Sequence, residues 1–251
     1  MSELETLTMH PDRWVKLEGT VNFRDLGGYP TTDGQVTRWR TAYRADGLHA
    51  LTEADLAELH NRELRTVIDL RTTGELEAAG MDRGLVEAWH HAPLLLEVAH
   101  PDEFVKTPGL LKRHYLEMLD EGQEQVRRIF SAIASAPEGG VVYHCSAGKD
   151  RTGVVTGLLL SHLGVERELV IADYALSALA MDALRDRLCE RYPQSAESIR
   201  AADAMFEANP ETLIRTLEKV DRDYGGASTY LATCGLNEAQ LEALRHRLLE
   251  A

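Results

Sequence analysis

No apolar run in this 251-residue chain reaches the roughly 18–20 residues a membrane-spanning helix needs, so no span is expected. Positive charge is scarce. Only 27 Lys and Arg stand against 41 Asp and Glu, leaving a net charge of −14. Nucleic-acid binding needs a basic footprint and is not expected, whereas a small positive pocket inside an acidic surface is compatible with this balance. Three cysteines are too few, and odd in number, for a disulfide framework. Residues 1–10 are polar and acidic and lack the basic start and apolar middle of a signal peptide. The expected location is a reducing cytoplasm, with export by a route that leaves no such signal still open. Internal repeats and low-complexity runs are absent. Aromatic residues make up only 6% of the chain, but the apolar fraction of 44% is ordinary and supports one large domain over 1–251.

What is present reads as alternating elements. Thr66, Val67, Ile68, Asp69 and Leu70 form a short β-branched run that predicts a buried strand. Residues 36–43 predict another strand, following a tight-turn signal at Asp33 and Gly34. Thr52 and Asp55 have capping-box spacing and start a helix carrying Leu56 and Leu59. Apolar residues between 110 and 133 recur at near-helical spacing, and Gly122 splits them into two helices. Leu94, Leu95 and Leu96 form an apolar run of undetermined type. Beyond residue 164 the pattern is helical to the end, where Asn237 caps the last helix.

The clearest unit opens at Gly139 and Gly140. Val141, Val142 and Tyr143 predict a buried strand, 144–151 a polar loop, and 152–163 an apolar helix ended by Gly164. Strand, loop and buried helix is α/β architecture.

That loop carries the chemistry: His144, Cys145, Ser146, Ala147, Gly148, Lys149, Asp150 and Arg151, then Thr152. A phosphate ester brings nearly two negative charges and three equatorial oxygens to a site. Converging amides at a helix N-terminus meet those oxygens, because the first amides of a helix lack partners within it. Ala147 and Gly148 keep the lining small, and Arg151 offers a planar fork that holds two oxygens. Cys145, at the strand's end beneath the amides, is the expected nucleophile, since the field that binds phosphate also favours a thiolate. Thr152 is expected to donate to the sulfur, and His144 to orient the loop from behind. Lys149 reads equally as a solvated lysine or a substrate contact.

The leaving oxygen needs a proton donor. Asp150 is the first candidate, with pairing to Arg151 or capping of the helix as its plainer alternative. Asp69, at a strand end on the same sheet edge, is second, with Arg71 or Arg24 as its structural partner otherwise. Asp46 is third. Asn22, Arg24 and Asp25 either support the loop or only pin a turn. Cys189 and Cys234 read as small buried hydrophobes. Two other functions compete: a rhodanese-type sulfurtransferase, disfavoured by the long loop with both Arg151 and Thr152, and a phospho-binding module without turnover, disfavoured by the intact Cys145.

Cys145, five intervening residues, Arg151 and Thr152 resemble the signature of the protein tyrosine phosphatase superfamily. With Asn22, Phe23, Arg24, Asp25, Leu26, Gly27, Gly28 and Tyr29 upstream and Ile68, Asp69, Leu70 and Arg71 between, the chain is most similar to the bacterial tyrosine/serine branch. Tyr224 and Tyr230 also fit that branch. The resemblance implies a mostly parallel four- or five-stranded sheet flanked by helices, Cys145 as nucleophile and Arg151 as phosphate clamp. Ser146 to Asp150 then line the phosphate. It implies a helical lid, placed at 174–206, and a proton donor at Asp150 in place of a mobile Trp-Pro-Asp loop, which this sequence lacks. It further implies phosphoprotein or phosphopeptide substrates bearing phosphotyrosine, phosphoserine or phosphothreonine, phosphoinositides as a further class, inhibition by phosphate-like oxyanions, and no metal or cofactor.

Overall fold

The computed structural model describes residues 3–81, 87–95, 103, 106, 107 and 109–251. A short helix α1 (Glu3–Thr8) precedes β1 (Arg24–Asp25), β2 (Val36–Thr37) and β3 (Ala42–Ala45). Helix α2 (Glu53–Asn61), β4 (Leu64–Asp69), α3 (Thr73–Ala79) and β5 (Ala88–His91) follow. Next come α4 (Leu110–Asp120), α5 (Gln123–Ser135), β6 (Gly140–His144) and α6 (Asp150–Leu163). The remainder is helical: α7 (Arg167–Ala175), α8 (Ala178–Arg191), α9 (Ala196–Ala201), α10 (Asp203–Phe206), α11 (Pro210–Tyr224), α12 (Ala227–Thr233) and α13 (Glu238–Leu248). A last strand β7 (Leu249–Glu250) pairs with β2.

The main sheet has the order β1-β3-β6-β4-β5. Only β1 runs antiparallel, and the other four strands are parallel, as the resemblance implied. Parallel strands buried on both faces need apolar residues in continuous runs. β6 supplies them, and its side chains alternate between two cores. Val141 and Tyr143 join a large core with Ile68, α6 and the helices around it. Val142 faces a smaller one with Val67, Tyr43 and Leu59. Helix α6 is apolar on nearly all sides because α4, α7, α11, α12 and α13 surround it.

Three expectations change. Residues 36–43 are not one strand but two, belonging to different sheets. The break falls at Arg40, whose φ is 62° and whose amide donates to the Asp25 carboxylate (2.9 Å). Strand β5, rich in His and Trp, was not anticipated, and the apolar residues after it are not strand: Leu94 is core, while Leu96 lies outside the described residues. Helix α6 starts two residues early, at Asp150. The split of 110–133 at Gly122 agrees with the expectation.

Residues 178–206 form an apolar cluster of their own. Ala180, Met181, Leu184, Cys189, Ile199 and Phe206 pack together and rest on Val21 and on Ala147 of the loop. Tyr174 belongs instead to the main core, so this unit begins at Ala178 rather than at 174. Its arginines reach over to the facing wall: Arg187 Nη2 donates to the Glu18 carbonyl (2.7 Å) and Arg191 Nη2 to that of Ala79 (3.2 Å). A small separate cluster held by exposed hydrogen bonds opens at lower cost than a core. Amides of 178–206 are therefore expected to exchange faster than those of α6 and to slow when vanadate is added. Equal protection in both regions, read by hydrogen-exchange mass spectrometry, would show a segment packed as firmly as the core.

Candidate active site

Strand β6 ends at His144 and helix α6 begins at Asp150, so 145–149 must turn within five residues. Gly148 makes the turn possible. Its φ is +65°, and a Cβ there would lie 2.5 Å from the Ala45 carbonyl oxygen. Cys145 is 2% exposed and lies on the wall of a cavity of about 1390 Å³, together with Ser146, Ala147, Asp150 and Arg151. The Thr152 hydroxyl donates to Cys145 Sγ (3.2 Å).

The loop's carbonyls are held from behind. Asn22 Nδ2 donates to the carbonyls of Ala147 (3.0 Å) and Gly148 (3.2 Å), and Arg44 Nη2 donates to that of Gly148 (2.8 Å). In a trans peptide the N–H points opposite to the C=O. Carbonyls drawn back toward Asn22 and Arg44 therefore turn the Gly148 and Lys149 amides the other way, away from that support. Arg24 in turn donates to the Asn22 side-chain oxygen. Both arginines converge on Asp173 of α7: Arg24 Nε reaches Oδ1 at 3.2 Å and Arg44 Nη1 reaches Oδ2 at 2.7 Å. Tyr29 adds its hydroxyl at 3.1 Å. Burial would raise the Asp173 carboxyl, but the two guanidinium charges outweigh it and hold the group far below the usual range. Asn22 and Arg24 thus stand behind the loop, while Asp25 pins the turn by accepting from Gly27 and Arg40.

Arg151 is aimed by a residue the sequence reading missed. Glu75 on α3 takes its Nη1 (2.6 Å) and Nη2 (2.7 Å), and also accepts from Ser146 Oγ (2.6 Å). The same carboxylate closes the capping box of α3 by accepting from the Thr72 amide (2.9 Å). Thr72 and Glu75 have capping-box spacing right after a strand end, a signal that could have found it. Burial would raise the Glu75 carboxyl, but Arg151, Ser146 and Thr72 together hold it down at about 2. No described residue takes Arg151 Nε, which leaves that side of the fork open.

The proton-transfer candidates separate. Asp150 lines the cavity, and its Oδ1 accepts from the Tyr115 hydroxyl (2.9 Å) with Lys149 Nζ at 3.4 Å. It neither pairs with Arg151 nor caps a helix by its side chain. Asp69 is fully buried off the cavity, bound through both oxygens by Arg71 at 2.6–3.1 Å. Burial would raise its carboxyl, but His144 and Arg71 outweigh that and keep it low. Asp69 is therefore placed as an anchor for the strand end, and His144, 3.7 Å from it, donates from Nδ1 to the Cys145 carbonyl (3.2 Å). Asp46 does line the cavity. Burial pushes it up to about 6, against the amides of Asn22 and Val21 that it accepts from. Lys149 is neither solvated nor on the cavity: its buried ammonium donates to the carbonyls of Met205 (2.6 Å) and Glu207 (2.9 Å). His49 on the rim is pushed down to about 4, first by burial and then by Arg191, so it is neutral near pH 7. Arg151 is a fixed positive charge on the cavity wall that interacts electrostatically with Cys145.

A sheet-edge loop that gathers amides, a thiol and a guanidinium at a helix start defines an α/β enzyme built to hold an oxyanion. Residues 15–250 match the tyrosine phosphatase family. A tyrosine-protein phosphatase of Nostoc commune is 30% identical over 220 residues, covering 83% of this chain and 74% of its own. The triple specificity protein phosphatase PtpB of Mycobacterium tuberculosis is 26% identical over 277 residues, covering 93% of this chain and 98% of its own. The chain belongs to the tyrosine phosphatase family and is a phosphatase enzyme.

Two substitutions test the supports. Asp173→Ala strands two buried guanidinium groups and is expected to cost about 3–5 kcal/mol in denaturant unfolding. A loss below about 1 kcal/mol, the range of an exposed ion pair, would show the pairing to be dispensable. Glu75→Gln tests the aim of Arg151. The Glu75 carboxyl is lowered in the folded chain, so its contribution is present above pH 4.5 and lost as pH falls toward about 2. The wild-type stability should fall across that window, and the Gln variant should fall less steeply there. Parallel curves would mean that Glu75 is not ionically coupled to Arg151.

Proposed function

We propose that this phosphatase hydrolyses phosphotyrosine, and phosphoserine or phosphothreonine with it, through a phosphocysteine on Cys145. The supporting observation is the loop itself: its carbonyls are bound from behind by Asn22 and Arg44 while the Cys145 sulfur and Arg151 share one cavity wall.

In the first step the Cys145 thiolate attacks phosphorus. The bond from phosphorus to the ester oxygen breaks as Asp150 gives that oxygen its proton, and the alcohol or phenol leaves. The amides of the loop and the Arg151 fork hold the equatorial oxygens throughout. In the second step the Asp150 carboxylate takes a proton from water as the water oxygen attacks phosphorus. The P–S bond breaks, Thr152 donates to the departing sulfur, and inorganic phosphate is released. Electrons and protons balance across the two steps without an oxidant or a metal. Among the described residues no group of three or more His, Cys, Asp and Glu is placed to hold a metal ion.

The cavity is larger than a phosphoserine side chain fills, which favours phosphotyrosine and leaves room for residues beside it. The whole of 1–251 acts as one catalytic domain in this reading, and 178–206 is its lid. Phosphorylated proteins or peptides are the substrates, phosphoinositides are a further class, and vanadate and similar oxyanions are inhibitors. Among the described residues no helix is long and apolar enough to cross a membrane.

Cys145→Ser is expected to abolish turnover of p-nitrophenyl phosphate while retaining phosphopeptide binding. Arg151→Lys is expected to lose roughly 10²–10³-fold in kcat, the scale of one lost oxyanion donor, because an ammonium cannot reproduce the fork. Equal rates in Cys145→Ser and wild type would end the covalent reading, and thiosulfate-to-cyanide sulfur transfer without phosphate release would favour the sulfurtransferase instead.

A further inference from the structure

Two buried tyrosines touch the catalytic machinery and have no place in the steps above. Tyr115 lies on α4 and Tyr174 on α7, each about 1% exposed. Their hydroxyls are 2.8 Å apart, and the Tyr115 hydroxyl donates to Asp150 Oδ1 at 2.9 Å. A hydroxyl has one proton to give. With that of Tyr115 committed to the carboxylate, Tyr174 donates to Tyr115, and the three groups form a directed chain. Burial pushes both phenols well above their ordinary range, so both stay protonated and remain donors.

The chain ends on one oxygen only. Oδ1 of Asp150 faces the Tyr115 hydroxyl and the Lys149 ammonium at 3.4 Å, while no described residue bonds Oδ2. A proton on Oδ1 would meet a hydroxyl already pointing its own proton there, and an ammonium beside it. The two oxygens of this carboxyl are therefore not equivalent.

We propose that Tyr115, backed by Tyr174, is a positioning residue that fixes the Asp150 carboxyl with its proton on Oδ2, the oxygen free to face the cavity. This rests on the reading of Asp150 as proton donor. A free carboxyl rotates and presents its proton in either direction, and only one of them serves the leaving oxygen. Anchoring Oδ1 removes the unproductive arrangements before substrate arrives. Lys149 supports the same polarity, and its carbonyl partners at Met205 and Glu207 keep its charge in place.

The test is a series of aryl phosphates of rising leaving-group pKa, from p-nitrophenyl to phenyl phosphate, with kcat and KM measured for Tyr115→Phe, Tyr174→Phe, Asp150→Asn and the Tyr115→Phe/Asp150→Asn pair. A proton donor as a whole is worth about 10²–10⁴-fold. Tyr115→Phe is expected to lose about tenfold in kcat on phenyl phosphate, about twofold on p-nitrophenyl phosphate, with KM and vanadate inhibition held. Tyr174→Phe should move the same way by a smaller factor, and it carries the test if Tyr115→Phe lowers Tm. In the Asp150→Asn background the Tyr115 change should have no further effect. A uniform loss across the series, or full additivity with Asp150→Asn, overturns the proposal. If Asp150→Asn is itself indifferent to the leaving group, the proton-donor reading falls first. If Asp150→Asn is selective and the tyrosine variants are not, only the positioning role falls.

Discussion

A loop can turn its amides inward only if its carbonyls are satisfied on the outside. Buried peptide groups left without partners cost about 1–3 kcal/mol each, so the inward amides here depend on Asn22 and Arg44 behind them. Those donors have to be fixed in turn. Arg44 brings a full charge into the buried interior, and so does Arg24, and one carboxylate on a helix far along the chain is shared by both. A lysine in place of either arginine could meet Asp173 but could not also reach a loop carbonyl or Asn22 from the same planar group. The loop and the α7 helix are thus one mechanical unit, although they share no segment of chain.

The charge bookkeeping explains how a strongly acidic protein keeps a site for anions. Arg24 and Arg44 are buried behind the loop and share the single negative charge of Asp173, so the cluster shapes the site and leaves one positive charge in excess behind it. Arg151 is paired by Glu75 on one edge of its fork and left open at Nε. The histidines on the cavity wall are held neutral by burial. What an incoming phosphate would meet is a set of amides and one half-engaged guanidinium, with Arg187 and Arg191 also on the cavity wall. The amides and the fork supply a short-range, directional attraction that discriminates by geometry.

The legible part of this molecule was the local part. Val141 to Thr152 carry strand, loop and the residues proposed as nucleophile and clamp within a dozen residues, and each of these follows from neighbours in sequence. The partners that make the loop work come from elsewhere: Asp173 from inside a helix, Tyr115 from an apolar stripe where it reads as core, Glu75 from a helix cap. Glu75 carries a local mark in its capping-box spacing from Thr72, but nothing local distinguishes Asp173 or Tyr115 from ordinary helix residues, because their roles arise only when their helices are packed against the loop. Asp69 shows the converse. Its position at a strand end on the right sheet edge was read correctly, but Arg71 two residues on closes over both oxygens and removes it from the cavity. Residues 36–43 misled for a similar reason, since the turn at Arg40 is stabilised by a carboxylate fifteen residues away.

Lys149 shows how the loop and the segment over it are joined. A loop lysine next to a phosphate site reads as a contact for the phosphate, yet here its ammonium is withdrawn from the cavity and spent on two carbonyls at the end of α10. The other end of that segment is held too, because Ser177 Oγ accepts from Arg24 Nη2 (3.1 Å) just before α8 begins. Both ends of 178–206 are therefore tied to residues that support or form the loop. Such a segment cannot swing away as a rigid body without breaking buried bonds at one root. Movement that spares them has to come from within, where α9 and α10 are short, and where Arg187 and Arg191 are held to the facing wall by exposed bonds to neutral carbonyls. The geometry ties any change in the covering helices to the loop at Lys149, one residue from the carboxyl proposed to move the proton.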